Sequence, residues 1–188
     1  MTFGHCGNKR GILAAFILAV FLMAGPPAAA AAENPTPGEY EVKAAFLYNF
    51  AKFIEWPEGS FADDRSPLTI CVLGDDPFGK GFDAIRSRTI QNRSVSIRQI
   101  EEVSSARGCH LLFISASEQD RLDSLLGSLG RHGILTVSDM KKFTSSGGMI
   151  AFVTENNKIR FEINIRSANR AGITIRSQLL KLARIVIE

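Results

Sequence analysis

Apolar positions along the last quarter of the chain, Gly147 to Val186, change period once. Through Lys158–Asn164 and on to Ile165, the aliphatic and aromatic side chains of Ile159, Phe161, Ile163 and Ile165 alternate with Arg160, Glu162 and Asn164. A period of two sends alternate side chains to opposite faces of a sheet. An apolar run, Met149–Thr154, precedes it, and Glu155-Asn156-Asn157 lies between the two. Asparagine tolerates the left-handed backbone of tight turns, so the two runs read as a hairpin. From Ser167 on, Ala168, Ala171, Ile175, Leu179, Leu182 and Val186 recur three or four apart. That spacing predicts one long helix packed by a single face.

Upstream, the patterns alternate between strand and helix. Tyr40–Glu55 carries a broad apolar stripe of Val42, Phe46, Phe50, Phe53 and Ile54, and Trp56-Pro57 ends it, because a residue before proline avoids the helical region. Leu68–Leu73 and Cys109–Ser115 are continuous apolar runs, as expected of strands covered on both faces. Ser94–Ile100 alternates and reads as an edge strand, and Ile134–Val137 as a fourth strand. Phe78–Ser87 reads as a helix, Glu101–Arg107 as a short turn, and Ser117-x-x-Asp120 as a capping box for a helix reaching Leu129. Strands alternating with helices imply a mainly parallel sheet with helices on both faces. The expected fold is a Rossmann-like three-layer α/β sandwich with a C-terminal antiparallel hairpin and a packing helix.

Composition changes this picture little: 188 residues, 45% hydrophobic and 22% charged, suit one globular domain. Charge and order along the chain add more. The formal net charge is +3, and Lys9 and Arg10 lie in a segment expected to be removed. No basic block with interleaved aromatics occurs, which argues against nucleic-acid binding. Residues 1–32 have the layout of a secretory signal peptide: a positive start, an apolar Gly11–Ala24 core too short to span a bilayer, Pro26-Pro27, then small residues before Glu33. Cleavage is expected near Ala32, with 33–39 as a leader and 40–188 as one domain. No later stretch is apolar enough for membrane insertion of the mature chain, and the leader's style points to the periplasm.

Two cysteines then remain, Cys71 and Cys109, each in a strand-like run. Neighbouring strands and an oxidising compartment favour a disulfide; two buried thiols are the other reading of these residues.

The search for chemistry yields little. Gly74–Lys80 has the spacing of a phosphate-binding loop. However, Gly81 stands where a hydroxyl would hold magnesium, Asp75 and Asp76 repel phosphate, and Pro77 lacks an amide donor. The acidic pair reads instead as capping the next helix. His110 and His132 each have a bland reading, and no nucleophile elbow or metal-binding spacing is present. No catalytic residue, cofactor or metal is expected.

Several blocks carry a resemblance: KAAFLYNFAKFIEWP (Lys43–Pro57), ICVLGDDPFG (Ile70–Gly79), CHLLFIS (Cys109–Ser115), ILTVSD (Ile134–Asp139) and the stretch from Gly147 to Gly172. In this order they resemble the YfiR family of periplasmic proteins, from about Tyr40 to Val186. The resemblance implies an exported α/β protein that often dimerises. It implies a negative regulator that binds the periplasmic part of an inner-membrane diguanylate cyclase (YfiN-like) and represses cyclic di-GMP synthesis. An outer-membrane lipoprotein (YfiB-like) relieves that repression by sequestering the regulator. Cys71 and Cys109 match the family's cysteine pair; a second pair near the hairpin has no counterpart here, with Ser145 and Phe152 at or near those positions.

The partner-binding residues expected on this basis are Phe152, Arg160, Glu162 and Asn164, an aromatic and polar set near the sheet edge; aromatics and arginine most often carry interface energy. The competing reading is that Phe152 is core and the rest a solvated face. Two other function classes stand beside the regulator. One is a small-molecule sensor with its pocket at the strand carboxyl ends near Gly74–Gly79. The other is an enzyme using Asp75 or Asp76.

Overall fold

The computed structural model describes residues 1–3, 38–130 and 132–188. The expected signal peptide, apart from residues 1–3, lies outside the described residues, as do Cys6 and most of the leader. No helix among the described residues is long and apolar enough to cross a membrane.

The fold begins with helix α1, Glu39–Lys52. It ends three residues before the expected stop, because Phe53 closes it and Ile54–Glu55 goes into a short strand, β1. The main sheet follows. Its strands are β2 (Leu68–Leu73), β3 (Thr89–Ile90), β4 (Arg93–Ile100), β5 (Leu111–Ile114), β6 (Leu135–Ser138), β7 (Ile150–Glu155), β8 (Lys158–Asn164) and β10 (Ile185–Ile187). Strand β9, Thr174–Ile175, instead pairs with β1 in a separate two-stranded ribbon. In the eight-stranded sheet the order is β10-β8-β7-β6-β5-β2-β4-β3. The inner pairs from β4 to β7 are all parallel, while β7–β8 and β3–β4 are antiparallel. Taken in chain order, the five parallel strands run 2-1-3-4-5, the flavodoxin-like doubly wound arrangement.

Alternation along the buried strands makes two apolar layers. Leu68, Ile70 and Val72 of β2 and Leu111 and Phe113 of β5 face one side. There they meet α1, Phe82 and Ile85 from the turn and short helix α2 (Asp83–Arg86), and Ala168 of α4 (Ile165–Arg170). Leu179 of α5 (Ser177–Leu180) joins the same layer. Cys71, Leu73, Leu112 and Ile114 face the other side, against Leu122, Leu125 and Leu129 of α3 (Leu122–Leu129). The result is the expected three-layer sandwich.

Two expectations are corrected here. The last segment is not one helix. Gly172 at φ +74° ends the helical path after α4, Thr174–Ile175 pairs with β1, and Ile185–Ile187 pairs in parallel with β8. Ser117 does not cap a helix; a 3-10 turn, Ala116–Arg121, leads into α3, and the Ser117 hydroxyl accepts the Asp75 amide instead (3.1 Å).

Candidate functional site

The closing hairpin has its turn at Asn156 and Asn157, with φ +50° and +57°, as a two-residue turn of the primed type needs. That turn fixes the register Glu155↔Lys158, Phe152↔Phe161 and Ala151↔Glu162. Paired residues point to the same face. One face, with Phe152 and Phe161, is covered by α1: Phe50 packs on Phe152 (5.6 Å between centroids) and on Phe161 (4.9 Å), and Phe46 meets both. The other face carries Val153, Glu155, Arg160 and Glu162. Strand β10 extends it, since Ile185 pairs with Glu162. Near the turn this face has little cover: Glu155 and Arg160 are exposed, and Ile185 keeps 43% of its surface. Arg184 binds Glu162 (2.8 Å) and Glu155 (3.4 Å) across it. Exposed charges around a partly exposed isoleucine make this the candidate docking face.

Arg160 and Glu162 therefore sit on that face. Phe152 and Asn164 do not offer themselves to a partner. Phe152 is 3% exposed, its ring spent on the aromatic cluster under α1. Asn164 is buried and caps α4: its Oδ1 accepts the Ser167 amide (2.9 Å), and its Nδ2 donates to the Thr144 carbonyl (2.9 Å). Ile185 and Arg184, which complete the face, were hidden in sequence by the helical spacing of the last segment.

The crevice where the strand order reverses lies between the carboxyl ends of β2 and β5, the usual ligand position in such sheets. Here it is filled. Gly74, at φ +85°, leaves no room for a Cβ, because the Ser117 hydroxyl and the Glu118 side chain lie against it. Asp76 accepts the Phe78 amide (2.8 Å), a local bond two residues along the chain, and does not cap the 3-10 turn at Gly79–Phe82, so the expected capping of a helix by the acidic pair is not found. Space beside Gly74, where a pocket was expected near Gly74–Gly79, is taken up by Ser117 and Glu118, and two clefts lie elsewhere in the fold. One of about 570 Å³, lined by Ser60, Arg107, Cys109, His110, Leu129 and His132, opens at the amino ends of β5 and β6. Another of about 500 Å³ lies between α3 and α4.

Buried polar groups elsewhere act structurally. Lys43, 4% exposed on α1, binds Asp139 beyond β6 and Glu39, each at 2.6 Å. The Tyr40 hydroxyl donates to the same Asp139 carboxylate (2.8 Å). Burial, reinforced by that carboxylate, raises the Tyr40 pKa and keeps the phenol a donor. This cluster pins α1 to the sheet. Cys71 and Cys109 are joined by a disulfide, with Cα atoms 5.9 Å apart, tying β2 to the residues that lead into β5.

His110 is engaged through both ring nitrogens and one ring face. Its Nδ1 accepts the Thr69 amide (3.0 Å), so Nε2 carries the proton and donates to the Ser60 carbonyl (3.0 Å). Phe61 stacks on the imidazole at 4.1 Å, and the Arg93 guanidinium covers Phe61 at 3.8 Å. Two groups centred about 4 Å from one ring occupy opposite faces of it. Burial lowers the His110 pKa below the ordinary histidine value, the Arg93 charge acts in the same direction, and the Ser60 bond opposes them.

Residues 40–184 match a family model described as YfiR/HmsC-like. Among solved structures, the fold is similar to the crystal structure of a conserved domain protein from Vibrio cholerae O1 biovar El Tor strain N16961. The TM-score is 0.51 at 8% identity, over 79% of this chain and 60% of that one. At that identity the likeness concerns the fold alone, and this chain spans only 60% of the other's length.

Proposed function

The chain belongs to the YfiR/HmsC-like family, and from that premise we propose that it is a periplasmic negative regulator of cyclic di-GMP signalling. It binds the periplasmic part of an inner-membrane diguanylate cyclase and holds down synthesis. An outer-membrane lipoprotein relieves the repression by sequestering it. Residues 1–32 direct export, with cleavage near Ala32, and the domain from residue 40 onward works by docking, as a homodimer, without making or breaking bonds.

The observation that carries this reading is the family match across residues 40–184, nearly all of the folded part. The outer hairpin face supports it, with Arg160, Glu162, Arg184 and Ile185 arranged as a charged surface around an apolar residue. Interfaces draw their energy from such mixed patches, and their charges steer encounter. A second reading, a small-molecule sensor of the same fold, is favoured by the 570 Å³ cleft, which falls in the size range of ligand pockets.

Deleting the gene and measuring intracellular cyclic di-GMP tests the first reading. The level should rise, and the rise should vanish in a strain that also lacks one particular periplasm-facing cyclase. No rise in any background would overturn it. At the protein level, Arg160→Glu should weaken pull-down of that cyclase's periplasmic part while leaving the fold intact, because Arg160 is exposed and makes no ion pair among the described residues.

A further inference from the structure

We propose that His110 is a proton-operated latch: its neutral ring holds the 57–66 segment against the amino end of the sheet, and protonation frees that segment and widens the cleft it walls. The latch has two jaws. On the sheet side, His110 completes the ladder beside Thr69: its amide donates to the Thr69 carbonyl (2.9 Å), and its Nδ1 accepts the Thr69 amide. On the segment side, Nε2 donates to Ser60 and the ring lies flat on Phe61. Trp56, just before the segment, closes the assembly edge-on to the imidazole (6.1 Å) and donates to the His110 carbonyl (3.2 Å).

An imidazolium cannot sit here unchanged. It has no acceptor nitrogen, so an Nδ1–H would face the Thr69 N–H, donor against donor, in a buried site. The charged groups nearby offer it nothing. Arg93 of β4 lies across Phe61. Arg107, before β5, and His132, before β6, line the same cleft. Of the carboxylates on the segment, Asp63 is taken up by the Arg65 and Ser66 amides and the Ser66 hydroxyl, Asp64 pairs with Arg93, and Glu58 is exposed. The ring must therefore leave its place to be hydrated, and Ser60 loses its hydrogen-bond partner and Phe61 its stacked ring, which leaves Phe61 held by Trp56 and Arg93. Gly59 and Ser60 are walls of the 570 Å³ cleft. Arg93 holds the far end of the segment through the Asp63 and Ser66 carbonyls, so the segment hinges rather than detaches.

The sole tryptophan of the chain, Trp56, reports the event. Titrating the full mature chain from pH 7.5 to 4.5 should change its emission with a midpoint below pH 6.5, while the far-ultraviolet circular dichroism stays constant. Over the same interval, hydrogen exchange corrected for intrinsic rates should show at least tenfold loss of protection in 57–66 and none in β5. His110→Gln should abolish both responses, and His132→Gln should leave them. If His110→Gln does not fold, nitrogen-15 spectra of the wild-type ring decide: the Nε2–H tautomer at neutral pH, titrating together with the 57–66 resonances, supports the latch. Protection of 57–66 that persists through the His110 titration overturns it, as does a response unchanged in His110→Gln or coincident with global unfolding. None of these readouts contains a cyclase, so their failure leaves the regulatory reading where it stood.

Discussion

At the scale of single residues, Asn164 and His110 each make two buried or half-buried bonds while looking ordinary in the sequence. Asn164 looks like a polar position on the outer face of a strand, yet it caps α4 and satisfies the Thr144 carbonyl. Asn164→Ala removes a helix cap and leaves a buried carbonyl without its donor, and should cost about 2 kcal/mol in urea unfolding. His110 sets a pH dependence whose sign follows from its lowered pKa. The unfolded chain takes up its proton first as pH falls, so stability is greatest above about pH 6.5. It declines as pH drops from there toward the lower folded-state value. Unfolding midpoints at pH 7.5 and 5 should differ in that direction, and by less in His110→Gln. Nothing in the sequence marks the Arg93–Phe61–His110 stack, since its members come from three separate stretches and none recurs in a pattern.

Among the elements, the hairpin was the most legible and the last segment the least. Alternation in Lys158–Asn164 and an Asn-Asn pair specify both strands and their turn, because side-chain period and left-handed backbone are local properties. Position 157 tests this directly. At φ +57°, Asn157→Gly should raise stability by up to about 0.5 kcal/mol, and Asn157→Val should lower it by about 1–2 kcal/mol, in denaturant titrations. The turn also held the answer to Phe152. A two-residue turn places Phe152 opposite Phe161, and Phe161 shares a face with Ile163; that register alone assigns Phe152 to the core. The segment after Ser167 misled for a different reason. Ala168, Ala171, Ile175 and Leu179 do keep helical spacing, and all are buried. They reach the core from α4, a strand and α5 in turn, and β10 is a strand only because β8 offers it an open edge. Pairing of that kind is not encoded locally.

For the molecule as a whole, strand–helix alternation was enough to foresee three layers and a mainly parallel sheet, while the filling of the crevice by Ser117 and Glu118 was not readable. The disulfide closes a loop with sequence separation 38 that contains α2, β3 and β4. In the chain-entropy model it contributes about 4 kcal/mol. Reduction with excess dithiothreitol should lower the stability from urea unfolding by about that amount, and a Cys71→Ala, Cys109→Ala double variant should be indifferent to the reductant. The cover that α1 gives the hairpin has an effect on biogenesis. Phe46 and Phe50 are among the first folded residues to be made, yet the rings that shield them lie about 100 positions later. At roughly 5–20 residues per second, a chain emerging amino end first leaves both rings without their hairpin partners for roughly 5–20 s. A holdase that grips aromatic, helix-forming stretches would find its best foothold there, on nascent chains that have not yet reached Asn164.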